Sequence, residues 1–181
     1  GDTASMAALL ADPPEAGPLI TVAIMLVMIG ALSKSAIIPF HFWLPGAMAA
    51  PTPVSAYLHA AAMVKAGIYL IARFVPSYSF VPGLNELLVI LGGITMVWGA
   101  MRAMRQYDIK LIIAHGTVSQ LGMLVLLFGI GIPSVEYVAL TLLFAHAIAK
   151  APLFLTVGII DQSTGERDLR LLHGLGRRVP I

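Results

Sequence analysis

The sequence predicts an all-α polytopic membrane protein of about five transmembrane helices, one of them broken by prolines. Three observations carry this. First, 59% of the residues are hydrophobic and only 11% are charged, where soluble domains carry about 25%. Mean hydropathy is +0.91. Second, the apolar residues fall into runs of about 20, the length that crosses a hydrocarbon core. Third, four prolines (Pro39, Pro45, Pro51 and Pro53) crowd the stretch between Lys34 and Lys65. Proline removes a backbone donor and clashes with the preceding turn, so a helix entering that stretch must kink or stop.

Taken in order, residues 1–18 hold Asp2, Asp12, Glu15 and three prolines but no basic residue, and read as an extracellular or periplasmic loop. Without a basic n-region or a cleavage site they do not read as a signal peptide. The first helix is expected over about 19–38, ended by Pro39. His41 to Pro53 is expected to be irregular or re-entrant. A second helix follows over 54–74 and a third over 86–104. The turn holding Arg102, Arg105, Asp108 and Lys110 is wet. The fourth helix runs over 109–130 and the fifth over 135–160, separated by Gly131-Ile-Pro-Ser134. Together 19–160 form the membrane bundle. Residues 161–181 form a cytoplasmic loop in which 168–172 suggest a short surface helix. The start at Gly1 and the end at Pro180-Ile181 suggest a piece of a longer protein.

Five helices alternate the connections between the two sides of the membrane. Arg102, Arg105, Lys110, Arg167, Arg170, Arg177 and Arg178 fall on one side, and only Arg73 borders the other. Basic residues in short loops stay inside, so the C-terminal end is expected in the cytoplasm and the N-terminal loop outside.

Composition excludes several chemistries. There is no cysteine, hence no disulfide, thiolate site or cysteine nucleophile. A net charge of +2 without a basic run gives no footprint for nucleic acid. No phosphate loop, dinucleotide fingerprint or metal-ligand spacing is present, so no cofactor and no metal are expected. Haem between His59 and His146 is conceivable, but lysines within the membrane do not suit a haem pocket.

What remains is a set of ionisable groups inside apolar runs, where each is costly and therefore a candidate for function. Lys34 lies about 22 Å along the first helix, counted at 1.5 Å per residue. Its plain reading is a lysine snorkelling to the surface; its functional reading is a titrating ammonium whose carboxylate partner lies outside that helix. His59 and Lys65 stand six residues apart, so at about 100° per residue they face different neighbours. His59 reads as a core histidine bonded to a carbonyl or as a relay group. Lys65, near mid-helix, is harder to explain by snorkelling. His146 and Lys150 are an i, i+4 pair on one face, with Pro152 just beyond. Two titratable groups one turn apart suit a proton-transfer step bridged by water. His115, Ser119 and Gly122 share a face and are a weaker signal, since small polar faces also serve helix packing. Lys110 reads as an interfacial anchor or as lining the cytoplasmic mouth. His41 is ambiguous, and His173 is on the surface.

Gly30-Ala-Leu-Ser-Lys34-Ser, Pro39-Phe-His-Phe-Trp-Leu-Pro45 and Ala50-Pro-Thr-Pro-Val-Ser-Ala-Tyr-Leu-His59 resemble the proton-translocating subunits shared by respiratory complex I and Mrp-type cation/proton antiporters. Asp108-Ile-Lys110, Ser119-Gln-Leu-Gly122 and His146-Ala-Ile-Ala-Lys150 fit the same pattern. Phe40-His-Phe-Trp-Leu-Pro45, Met63-Val-Lys65-Ala-Gly67 and Gly158-Ile-Ile-Asp161-Gln-Ser-Thr-Gly165-Glu-Arg-Asp168 look more like the large A subunit of the Mrp antiporter. The resemblance implies part of an inverted-repeat antiporter fold, with the first helix as the broken helix of the first repeat. It implies that Lys34 matches the family's central lysine, whose glutamate partner is absent from this sequence. It implies proton transfer through Lys34, His59, Lys65, His146 and Lys150, with His115 a weaker candidate. Leu142 stands where a further histidine often sits, so that step would use water or Lys150.

The resulting expectation is a fragment of a proton-translocating subunit of a multisubunit Na+ (or other monovalent cation)/H+ antiporter in a bacterial cytoplasmic membrane. Its partners would be other subunits, protons, the cation and the lipid bilayer. That is a secondary transporter, not an enzyme. The alternatives are a proton-pumping subunit of NADH:quinone oxidoreductase, which would be part of an enzyme, and a structural membrane subunit without transport.

Overall fold

The structure is a computed structural model that describes residues 5–178 apart from Ala16 and Ala62. Asp2 of the expected first loop and Pro180-Ile181 at the chain end lie outside the described residues. Helices account for nearly all regular structure; among the described residues the only β pairing is a single bridge between Asp108 and Asp168.

A short helix, α1 (Met6–Ala11), stands where the sequence suggests only loop. Its turn is secured from outside: Ser77 Oγ donates to Leu10 O at 2.9 Å and Tyr78 OH to Leu9 O at 3.3 Å. Local sequence could not supply those donors.

The first long helix, α2 (Pro18–Lys34), begins with proline at its first turn, where a missing N–H costs nothing. It buries Ile24, Met28, Ala31 and Leu32, a one-face pattern of spacing four, three and one. It stops at Lys34, earlier than the expected 38. Ala36 takes a left-handed φ of 53°, and Ser35, Ala36 and Ile37 are all fully buried. The residue before a proline is driven from the helical region, and here the disturbance spreads back to Ala36. Thr95 Oγ1 accepts from Ile38 N at 3.0 Å and fixes the break against its neighbour.

As expected, the segment after the break is irregular. A 3₁₀ turn (Phe40–Phe42), a one-turn helix α3 (Trp43–Gly46) and a second 3₁₀ turn (Ala47–Ala49) lead into α4 (Thr52–Ala56). Trp43 Nε1 donates to Ser33 O at 3.1 Å and ties this segment to the end of α2. Then comes a departure from regular helix: Tyr57–Ala61 form a π turn before α5 (Met63–Tyr78). Pro76 lies inside the last turn of α5, so this helix passes the expected end at 74.

Two closely apposed helices follow, α6 (Leu84–Met104) and α7 (Ile109–Gly129). Glycines let them touch backbone to backbone. A Cβ on Gly92 would lie 2.6 Å from Leu126 N, and one on Gly99 2.6 Å from Ser119 N. Ser119 Oγ donates to Met96 O at 2.8 Å. Ser119 and Gly122 therefore serve this contact. Asp108 caps α7, its carboxylate accepting from Lys110 N at 2.8 Å and Leu111 N at 3.3 Å.

The longest helix, α8 (Pro133–Thr164), passes through Pro152 without ending and stops at Gly165, whose φ of 69° favours glycine. After it, residues 165–172 form a strap, with turn bonds from Leu171 N and Leu172 N to Asp168 O. Helix α9 lies at Leu175–Arg178, so the short helix comes later than the expected 168–172. The strap is claimed by the turn before α7: Ile109 N donates to Arg167 O at 3.1 Å and Leu169 N to Tyr107 O at 2.9 Å.

Among the described residues, four stretches (Thr52–Tyr78, α6, α7 and α8) are long and apolar enough to cross a membrane by length and composition; α2 is a shorter apolar helix. The main core joins α2, α5, α6 and α7, while Ala56, Ala114 and Phe154 form a smaller cluster between α4, α7 and α8.

Candidate proton-transfer site

The site starts from the π turn. A π turn widens the helix by one residue and frees a carbonyl from its usual partner, and such turns recur at functional sites. His59 sits within it and is wholly buried, its ring centroid 4.8 Å from that of Phe154 on α8. Neither ring nitrogen has a hydrogen-bond partner among the described residues. His146 on α8 repeats the pattern: it is buried with both nitrogens unpartnered among the described residues. Buried polar atoms are nearly always paired, so two such imidazoles mark a polar interior.

Lysines complete it. Lys150, one turn after His146, donates from Nζ to Ile113 O on α7 at 3.0 Å. Thr117 Oγ1 donates to that same carbonyl at 2.9 Å. Gly116 stands beside the ammonium; a Cβ there would lie 3.4 Å from Nζ. Lys65 on α5 is buried at 8% exposure. Lys110, in the first turn of α7, is 2% exposed, and its Nζ donates to Ala50 O at 2.5 Å. The charges of Lys150, His146 and Lys110 act on His59, and those of Lys150 and Lys65 act on His146. Five titratable groups from three spans thus form one electrostatic network. A chain of acid–base groups in that arrangement can pass a proton by successive transfers, with water filling the gaps.

Four of the groups singled out from the sequence, His59, Lys65, His146 and Lys150, meet in this network. Two do not. Lys34 is exposed at the C-terminal end of α2 and is not among the charges acting on either histidine. His115 feels Arg102 and His41 instead. His41 belongs to that second group: its Nε2 accepts from Trp98 Nε1 at 3.2 Å, and Arg102 lies 5.0 Å over the Trp98 ring.

The sequence underrates Lys110. A lysine in the first turn of an apolar helix normally reaches water. Here the proline-rich segment folds back over it, and Ala50, which lies outside any helix, offers its carbonyl. The adjacent Asp108 cap was the available signal. Among the described residues, no three His, Asp or Glu side chains are placed to hold a metal ion.

All-helical architecture with four apolar spans and a broken helix defines the class: a polytopic helical membrane protein. The transmembrane family described as NADH:quinone oxidoreductase/Mrp antiporter, TM matches residues 6–181, and the chain belongs to that family. It is 48% identical over 170 residues to the A subunit of a Na(+)/H(+) antiporter from Bacillus subtilis, across 88% of this chain and 21% of the relative. Among solved structures, the Mrp complex from Dietzia sp. DQ12-45-1b matches 95% of this chain and 19% of its own, with TM-score 0.87 and 47% identity. The membrane-bound sulfane sulfur reductase, an archaeal respiratory membrane complex, matches with TM-score 0.88 and 29% identity over 97% of this chain and 37% of that one. The chain spans about a fifth of the length of the curated relative.

Proposed function

We propose that this chain is the proton-translocating core of a cation/proton antiporter subunit that exchanges protons for Na+ or another monovalent cation. The observation that carries this is that Lys65, Lys110, His59 and His146 are buried and Lys150 half-buried within the Thr52–Tyr78 span, α7 and α8, with Lys150 and Lys110 each donating to a carbonyl of another element. Lys150 and His146 pass protons between Lys65 on one side and His59 and Lys110 on the other. Lys34, exposed at the break of α2, works with a carboxylate supplied by the rest of the parent subunit, and a cation arriving there perturbs the lysine and couples the two flows. His115 takes a lesser part, through His41 and Arg102. The other subunits of an antiporter complex are the partners, and the setting is a bacterial cytoplasmic membrane with the N-terminal end outside. The antiporter reading is supported by the 48% identity to the B. subtilis antiporter protein and the 47% identity to the Mrp complex chain.

The test is sodium-driven proton flux in everted vesicles carrying the intact parent complex, without respiratory substrate. Sodium added outside should alkalinise the wild-type vesicle lumen, because entering Na+ is exchanged for departing H+, and Lys34→Ala and Lys150→Met should each lose that response while the complex still assembles. Full exchange by both variants would refute the relay. Proton pumping on NADH, with no response to sodium, would assign the chain to a quinone-linked pump.

A further inference from the structure

The outer face of α6 carries a groove between its apolar side chains. Two adjacent i, i+4 rows bound it: Gly93, Val97 and Met101 on one side, Ile94 and Trp98 on the other. Such rows are the ridges of a helix, and the space between them is a groove inclined to its axis. Here the groove is shallow and open, offers about 400 Å³ and is lined almost wholly by apolar atoms. Ile94, Val97 and Met101 are 51%, 52% and 41% exposed, so this face of α6 looks away from the packed core among the described residues. Each ridge then ends in an arginine. Arg105 continues the first row just past the helix end, and Arg102 continues the second. Both are exposed.

The two arginines are not equivalent to loose surface charges. The guanidinium of Arg102 rests over Trp98 at 5.0 Å, and Trp98 is itself held by its bond to His41. A guanidinium over an aromatic face leaves its N–H donors available to other partners. An apolar groove on a helix long enough to cross a bilayer, ending in two cationic forks next to an indole, complements the shape and charge of one kind of ligand. From Gly93 to Arg102 it runs about 13 Å at 1.5 Å per residue, along the direction of a lipid chain.

We propose that the α6 groove is a binding site for one anionic phospholipid, its acyl chain between the two ridges and its phosphate held by Arg102 and Arg105. Trp98 sets the depth of the headgroup, as interfacial indoles do. Charge selects the occupant: a second apolar helix would leave both guanidinium groups without an anion, and a zwitterionic lipid would satisfy them less.

Native mass spectrometry of the intact parent complex, extracted from membranes and titrated with phosphatidylglycerol or phosphatidylcholine, tests this. Wild type should retain phosphatidylglycerol in preference to phosphatidylcholine. The Arg102→Gln/Arg105→Gln variant, altered only at exposed positions, should assemble normally and lose that retention by about thirty-fold, the effect of removing two basic contacts at a membrane surface. Val97→Trp, which fills the groove and keeps both charges, should lose it too. A photoreactive residue at Val97 should capture lipid. Equal retention of both lipids, unchanged retention in the variants, displacement by soluble glycerol phosphate alone, or capture of a protein segment at Val97 would each overturn the proposal.

Discussion

Lys150 shows how one ammonium can be placed inside an apolar bundle. It accepts confinement because Ile113 O is presented to it and because Gly116 leaves room beside it. Gly116→Val should therefore push against Nζ and cut exchange severalfold or more while leaving Lys150 in the sequence. Flux in everted vesicles checks this, and unaltered flux would mean that the space beside Nζ is not used. Lys110→Met should likewise lower exchange, by the roughly 10²-fold or more that loss of a positioned proton-transfer group brings. An unaffected rate would return Lys110 to a purely structural role at Ala50. Lys150 was visible as a lysine inside an apolar run, Lys110 only as an anchor at a wet turn. Which carbonyl each would find was not, because Ile113 lies 37 residues from Lys150 and Ala50 lies 60 from Lys110.

At the scale of elements, close backbone contact is the main organising device. Gly92 and Gly122 face each other across α6 and α7, and a Cβ on Gly92 would stand 2.7 Å from Gly122 O. Gly67 plays the same part between α5 and α2, where a Cβ would collide with Ala31 O and Ser35 Oγ. Gly92→Val should destabilise the bundle by about 1–3 kcal/mol, the usual cost of overpacking. Unfolding of the purified complex in denaturing detergent measures it, and an unchanged midpoint would contradict the contact. The strap after α8 gives a pH prediction. Arg170 holds the Asp168 carboxyl below the usual carboxylate range, through its side-chain hydrogen bonds first and its backbone N–H second. A carboxylate depressed in the fold adds stability above its unfolded value, about 3.9, and loses it as pH falls through the folded value. The strap should hold at neutral pH and loosen only in strong acid. Hydrogen exchange at Ile109 and Leu169 reads this directly, and protection that persists undiminished in acid would show that backbone bonds alone suffice.

Over the whole molecule, His59, Lys65, Lys110 and His146 are buried while Lys34 is exposed. That division fits a chain that spans about a fifth of the related antiporter protein. In the intact complex Lys34 should be shielded by the rest of the protein. Labelling with a membrane-permeant amine reagent should be slow at Lys34 in the complex and fast in this segment expressed alone. Equal rates would place Lys34 at a surface in both.

The class, the approximate course of the long helices and most of the charged groups within them were legible in the sequence. Length, apolar content and proline position are local quantities, and the bilayer converts them directly into spans and breaks. The cost of burying them likewise singled out His59, Lys65, His146 and Lys150. Packing alone brought these four together, added Lys110 to them, and turned His115 to Arg102 and His41 instead. Helix rotation and the fold-back of residues 35–51 set those neighbours, and both depend on glycine contacts and hydrogen bonds between residues far apart in the chain. The same holds for the π turn at His59 and for the early stop of α2 at Lys34. Each trades a local preference for a contact made elsewhere in the bundle.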